Sequence, residues 1–230
     1  MKDITIAIDG PAASGKSTIG CRVADALGFV YLDTGVLYRA VTWAALERGI
    51  AIADEAGVTR LSESLAIDIQ RPAVDDGRQY TVVVDGRDVT WLLREQRVND
   101  GVSPVAAYPG VRAALRDEQR RLGLRGGVVM VGRDIGTAVL PEAQVKIYLD
   151  ATLEERALRR HRENLARGQA SDLEVVRAEL ERRDYIDSHR ATAPLSQAAD
   201  AVYVDSTEMS IQEVVDRVLG IVRQVARERR

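Results

Sequence analysis

The segment Gly10-Pro11-Ala12-Ala13-Ser14-Gly15-Lys16-Ser17 constrains this chain more than any other feature. It satisfies the Walker A pattern, a loop whose glycines let backbone N–H groups point inward around a phosphate. That meaning holds only between a strand and a helix, and both are written beside it. Ile4 to Ile8 is a short β-rich apolar run, and Ile19, Val23, Ala26 and Leu27 follow the loop at helical spacing, closed by Gly28. The start of that helix adds partial positive charge. Lys16 is then placed to reach the β and γ oxygens of a nucleoside triphosphate, and the Ser17 hydroxyl to meet Mg²⁺.

The rest of the chain repeats the strand-helix alternation. Phe29 to Leu32 predicts a second strand, and Leu37, Ala40, Val41 and Ala44 a second helix ending at Gly49. Val128 to Val131, Val145 to Leu149 and Ala201 to Val204 are short and valine-rich, as in parallel strands covered on both faces. The expectation is an α/β three-layer fold around a five-stranded parallel sheet. Capping-box patterns at Thr152-Leu153-Glu154-Glu155 and Ser210-Ile211-Gln212-Glu213 start two later helices. The last of these carries an apolar stripe from Ile211 to Val225 that suits packing on the sheet, and Arg227 to Arg230 reads as a solvated tail. One stretch breaks the alternation. Ala66 to Gln70 and Tyr80 to Val84 have strand character, and Asp85-Gly86 before Arg87-Asp88-Val89-Thr90 is a hairpin signature. We therefore expect a single domain over 1–230, with a core of 1–65 and 98–230 and a small antiparallel insert at 66–97.

A phosphate-binding loop does not by itself separate a kinase from a switch or a motor. The arginines narrow the choice. Arg39 follows Asp33-Thr34-Gly35, and Arg133 sits in Gly132-Arg133-Asp134, both at the carboxyl ends of parallel strands where ligands collect. Arg156, Arg159, Arg160 and Arg162 lie on one helix; Arg183, Asp187 and Arg190 share a face of another. An alcohol acceptor needs a base to take its proton, whereas a phosphate acceptor is already anionic and needs its charge neutralised. Several arginines without an evident catalytic histidine suit the phosphate acceptor.

Composition excludes other classes. A net charge of −3 argues against wholesale nucleic-acid binding, so the acceptor is expected to be small. Cys21 is the only cysteine and there are two histidines, which rules out an intrachain disulfide and a Cys/His metal cluster. No apolar run reaches membrane-spanning length and Met1-Lys2-Asp3-Ile4 enters a strand at once, so a cytoplasmic protein is expected.

Three segments, Gly10 to Thr18, Leu32 to Arg39 and Gly132-Arg133-Asp134-Ile135-Gly136-Thr137, resemble the signatures of bacterial cytidylate kinases. The likeness continues through Val102 to Ala106, Pro109 to Arg112, Val145 to Ala151 and Arg190 to Leu195. It implies a nucleoside-monophosphate-kinase fold with an acceptor-binding insert and an arginine-bearing lid over 153–168. It implies transfer of a phosphoryl group from ATP, with Mg²⁺, to CMP and dCMP by a monomer. Gly10, Pro11, Ala12, Ala13, Ser14, Gly15, Lys16, Ser17 and Thr18 would bind ATP. Ser103, Arg112 and Asp134 would read the cytosine edge, with Thr34 near the base. Arg183 and Asp187 would hold the sugar, and Arg39, Arg133 and Arg190 the acceptor phosphate. Arg156 and Arg160 would close over ATP. Where the family has an acidic residue before Gly-Arg-Asp this chain has Val131, leaving Asp33 to hold magnesium through water. The alternatives are a kinase for another monophosphate such as UMP, a P-loop regulatory binder, and an RNA-associated protein, the last disfavoured by net charge.

Overall fold

The computed structural model describes residues 4–70, 72 and 74–229, so the Met1–Asp3 lead-in, Arg71 and Ala73 of the expected insert, and Arg230 of the tail lie outside it. The described chain groups into two compact units, residues 1–32 with 120–230, and residues 33–119.

The first unit is built on the expected sheet. Strands β1 (Thr5–Asp9), β2 (Val30–Asp33), β6 (Val128–Val131), β7 (Val145–Asp150) and β8 (Val202–Asp205) lie in the order β2-β6-β1-β7-β8. β1 pairs in parallel with β6 and β7, and β7 with β8. Four of the expected strands run one residue further, to Asp9, Asp33, Asp150 and Asp205. For β1 the reason is pairing, since Asp9 stands opposite Tyr148 on β7 and the ladder continues past the apolar run. Helices α1 (Lys16–Leu27) and α8 (Ile211–Glu228) bury Ile19, Val23, Val214, Val218 and Val222 against Ile6, Ile8, Val129, Ile147 and Leu149. Val131 belongs to this core. The Ser210 capping box forms in full, whereas Thr152 caps α6 (Leu153–Ala166) only through the Glu155 N–H.

The second unit is wider than the insert expected at 66–97. Its three-stranded antiparallel sheet, β3 (Ile67–Gln70), β4 (Thr81–Val84) and β5 (Arg87–Asp88), is the expected hairpin and its neighbour. Asp85 and Gly86 both have positive φ, the geometry that a tight two-residue hairpin requires. The sheet does not stand alone because α2 (Gly35–Glu47) is buried on nearly every side. Around it Val58 and Leu61 of α3 (Glu55–Ser64), Val82 and Val84 of β4, and Val98, Val102 and Val105 of α4 (Gln96–Ala107) close one core. Val111 and Leu115 of α5 (Pro109–Gly123) complete it. Buried apolar surface thus draws α2 to α4 into the same cooperative body as the hairpin.

Candidate functional site

At the carboxyl end of β1 the chain turns through Gly10, Ala13 and Gly15 at φ of 147°, 60° and 95°, and then enters α1. A Cβ at Gly10 would stand 2.0 Å from the Leu149 carbonyl oxygen, so only glycine lets the loop pass β7 this closely. Lys16 is buried with its ammonium over the loop, where Nζ donates to the Pro11 carbonyl at 2.5 Å and to Ser14 Oγ at 3.2 Å. It therefore has structural partners in addition to any phosphate. Ser17 and Thr18 occupy the first turn of α1.

Helix α6 and helix α7 (Leu173–His189) pack on this loop through Ala157, Val176 and Leu180 around Ala12. Arg156 is buried among them. Its Nη1 donates to the Ala12 carbonyl at 3.2 Å and pairs with Asp184 at 2.6 Å, while Nε donates to the Ala151 carbonyl at 3.0 Å. This arginine pins the P-loop backbone to α7. Arg159 is anchored elsewhere, on the carbonyl and hydroxyl of Ser206 after β8 and on Glu155.

A second cluster stands after β6. Arg133 Nε donates to Asp187 Oδ2 at 2.9 Å, and Arg183 approaches the same oxygen at 4.0 Å. Arg160 is near enough to act on Arg183 electrostatically. Burial and the Arg133 charge, with a smaller push from Arg160, hold the Arg183 guanidinium down at about 10. The Nε atoms of Arg160 and Arg183 have no hydrogen-bond partner. Burial pushes the Asp187 carboxyl up, but Arg133 and Arg183 outweigh it and keep Asp187 below the usual carboxylate range. Asp134 is buried and accepts from Arg190 Nη2 at 2.9 Å, and Arg190 Nε donates to the Ala193 carbonyl at 2.7 Å.

The first unit therefore brings together the P-loop, Arg133, Asp134, Arg156, Arg160, Arg183, Asp187 and Arg190. The second unit holds the remaining expected residues. There Arg39 Nη1 donates to the Leu93 carbonyl at 2.9 Å and to Asn99 Oδ1 at 2.7 Å. Arg112 is buried with its guanidinium 5.5 Å over the Tyr38 ring, and Ser103 and Thr34 are buried on α4 and at the start of α2. Asp33 Oδ1 accepts the Gly35 N–H at 3.0 Å. Among the described residues no cluster of three metal-ligating side chains exists. The Ser17 hydroxyl beside a phosphate-binding loop does fit Mg²⁺, which takes one or two protein ligands and completes its shell with phosphate and water. Two residues that the sequence reading missed are Asp184, whose only signal was its place one turn before Ser188 on the arginine-bearing helix, and Asp9, a carboxylate closing an otherwise apolar strand.

A family model described as cytidylate kinase matches residues 6–224. The chain is 50% identical over 222 residues to a cytidylate kinase of Geobacillus sp. (strain WCH70), covering 96% of this chain and 97% of that one. It is 51% identical over 221 residues to the cytidylate kinase of Geobacillus kaustophilus (strain HTA426), with 96% and 97% covered. Its structure is similar to that of a gluconokinase from Sinorhizobium meliloti 1021, with a TM-score of 0.50 at 16% identity over 99% of this chain and 96% of the other, a likeness of fold alone.

Proposed function

The chain belongs to the cytidylate kinase family, and we propose that its arginine cluster neutralises the phosphates between which the γ-phosphoryl group moves. The reaction is transfer of that group from ATP to CMP, giving ADP and CDP. One observation carries the role of the cluster: Arg133 and Arg183 share the Asp187 carboxylate at 2.9 and 4.0 Å, and burial first, then the Arg133 charge and a smaller push from Arg160, hold Arg183 down at about 10. Such a group is stabilised by an added anion. Two converging phosphate chains bring several.

The proposed division of labour follows from the donors. Inward N–H groups of the P-loop and the start of α1 hold the β-phosphate, and the Lys16 ammonium leaves the Pro11 carbonyl for the β and γ oxygens. Arg133, Arg160 and Arg183 meet charge on the equatorial oxygens as the phosphoryl group passes between donor and acceptor. No base is required, because the acceptor oxygen belongs to a phosphate and carries no proton to remove. Arg156 acts on the loop rather than on the nucleotide. Asp134 and Arg190, with Ser103, Arg112 and Thr34, take the acceptor roles that family likeness gives them, as does Arg39. Mg²⁺, when bound, would draw charge from the β and γ oxygens, with the Ser17 hydroxyl as its protein ligand. We read the enzyme as a cytoplasmic monomer that takes dCMP as well as CMP. Among the described residues no helix is long and apolar enough to cross a membrane.

Measuring ADP formation with CMP, dCMP, UMP and AMP tests the reading. CMP is expected to exceed UMP by at least about tenfold in kcat/KM, a margin within reach of one well-placed polar contact. Preference for another base, or nucleotide binding without acceptor-dependent turnover, would overturn it.

A further inference from the structure

The Asp9 carboxylate is spent on a segment far from it in sequence. Asp9 ends β1, immediately before Gly10, and is buried. Its Oδ1 accepts the Ile135 N–H and its Oδ2 the Gly136 N–H, both at 2.7 Å. Those are the first N–H groups of a wide single turn over Ile135–Val139, closed by the Val139 N–H on the Asp134 carbonyl at 3.1 Å and the Leu140 N–H on the Ile135 carbonyl at 2.6 Å. Opening N–H groups of a helical turn have no partner within it, and wide turns of this kind recur at functional sites. Both Asp9 oxygens are therefore used, on two successive residues that directly follow Gly132-Arg133-Asp134.

We propose that Asp9 is a positioning residue that holds the Arg133-Asp134 pair in register with the P-loop. The proposal rests on the reading that Arg133 and Asp134 act on the acceptor nucleotide. One side chain joins the strand end that launches the phosphate loop to the turn that directly follows the arginine and the aspartate. An asparagine could accept only one of the two N–H groups and would turn an N–H donor toward the other.

The electrostatic surroundings show that the carboxylate is kept at a cost. Burial, reinforced by Asp134, pushes Asp9 up to about 6 although both backbone N–H groups and Lys16 pull the other way. Tyr148 stands opposite on β7, its phenol pushed up to about 12 by its own burial and by Asp150. The Lys146 stem reaches the turn at Gly136, but its ammonium is paired with Asp200 at 2.7 Å and does not neutralise Asp9. Tyr148 therefore stays uncharged near neutral pH. A buried carboxylate with so little compensation favours its protonated form, so a neutral replacement need not lower stability, whereas it should misplace the turn.

The test is steady-state kinetics of the full chain and of Asp9→Asn, Gly136→Ala and Arg133→Ala between pH 5 and 8, with thermal unfolding of each. A Cβ at Gly136 would stand 3.3 Å from Asp9 Oδ2 and 3.2 Å from Lys146 Cδ, so that variant shifts the same junction without removing the charge. Asp9→Asn is expected to raise the KM for CMP about tenfold, the scale of one charge-assisted hydrogen bond, and the KM for ATP less than about threefold. Gly136→Ala should move in the same direction by a smaller factor. The ratio of wild-type to Asp9→Asn kcat/KM for CMP, in which titration of CMP itself cancels, should rise as pH increases through about 6. Below that pH the wild-type carboxyl is itself neutral. Equal rises in both KM values, an unchanged KM for CMP, or a ratio flat with pH would overturn the proposal. If Asp9→Asn does not fold, an unchanged KM for CMP in Gly136→Ala overturns it. Arg133→Ala separates the two levels of argument: no effect on CMP sinks the acceptor reading itself, whereas a large effect there with none at Asp9 sinks only the positioning role.

Discussion

Replacing Asp187 by asparagine removes the carboxylate that Arg133 and Arg183 share. Asp187 keeps only 5% of its side chain in solvent and accepts from Arg133 at 2.9 Å. Removing one partner of a fully buried ion pair costs about 3 to 5 kcal/mol, because the other charge is left uncompensated. Arg133 and Arg183 keep 19% and 24% of their side chains exposed, so water screens part of that loss and about 2 to 3 kcal/mol is expected. For a chain of this size that is a fall in melting temperature of roughly 4 to 12 °C. The sign of the pH dependence follows from the depressed folded pKa of Asp187. Its stabilisation is present above the unfolded value near 4 and is lost as pH falls through the lower folded value, so the two proteins should converge in stability in acid. The variant keeps Arg133, Arg160 and Arg183 with less negative charge among them, and inorganic phosphate should stabilise it more than wild type. At ten times its Kd the anion adds about 1.4 kcal/mol. Thermal unfolding from pH 3 to 8, with and without phosphate, reads both effects. Equal stability of the two proteins at pH 7, or an equal response to phosphate, would refute the claim that this cluster is short of anions.

Lys16→Met keeps the stem of the side chain and removes the ammonium, and turnover is expected to fall about 100-fold or more. The Pro11 carbonyl also loses a donor, so melting should drop by about 1 kcal/mol equivalent; retention of more than about a tenth of wild-type turnover would refute the role. On the proposed base-reading role, in which an Asp134 oxygen would accept from the amino group that only cytosine offers there, Asp134→Asn should cost about tenfold to a hundredfold in kcat/KM for CMP and less for UMP. Because Asp134 is also paired with Arg190, some loss of stability is expected alongside, and an equal proportional loss with CMP and UMP would assign Asp134 to the fold rather than to the base.

The parts of this protein that sequence reveals are those whose physics is local. The P-loop is readable because its glycines answer to steric demands inside the segment, and the strands because valine-rich runs between turn residues have few other conformations. The Asp85-Gly86 turn is readable for the same reason, both residues taking the φ that such a turn needs. The turn at Ile135–Val139 is not, because what stabilises it is a carboxylate 126 residues away. The breadth of the second unit was hidden too. Nothing in the sequence of α2 says whether its apolar surface will join the sheet behind it or the hairpin ahead, and long-range burial decides that.

The same distinction sorts the arginines, which composition cannot do. Arg156 and Arg190 meet backbone carbonyls and the carboxylates of Asp184 and Asp134, and their geometry is fixed by those partners. Arg160 and Arg183 have Nε atoms without a hydrogen-bond partner, and Arg183 is depressed by burial and by the Arg133 charge. From sequence all four are helix or loop arginines of the same apparent kind. A chain of net charge −3 can thus carry a positive site without a positive surface, because Arg133, Arg156, Arg160 and Arg183 are offset only in part by Asp184, Asp187 and Glu163, the last 3.5 Å from Arg160. A fully neutralised cluster would be more stable and would bind phosphate poorly. An unneutralised one would repel itself apart. The observed balance, one carboxylate shared by two arginines with a third nearby, lies between these limits, where binding an anion both relieves repulsion and positions the anion for transfer.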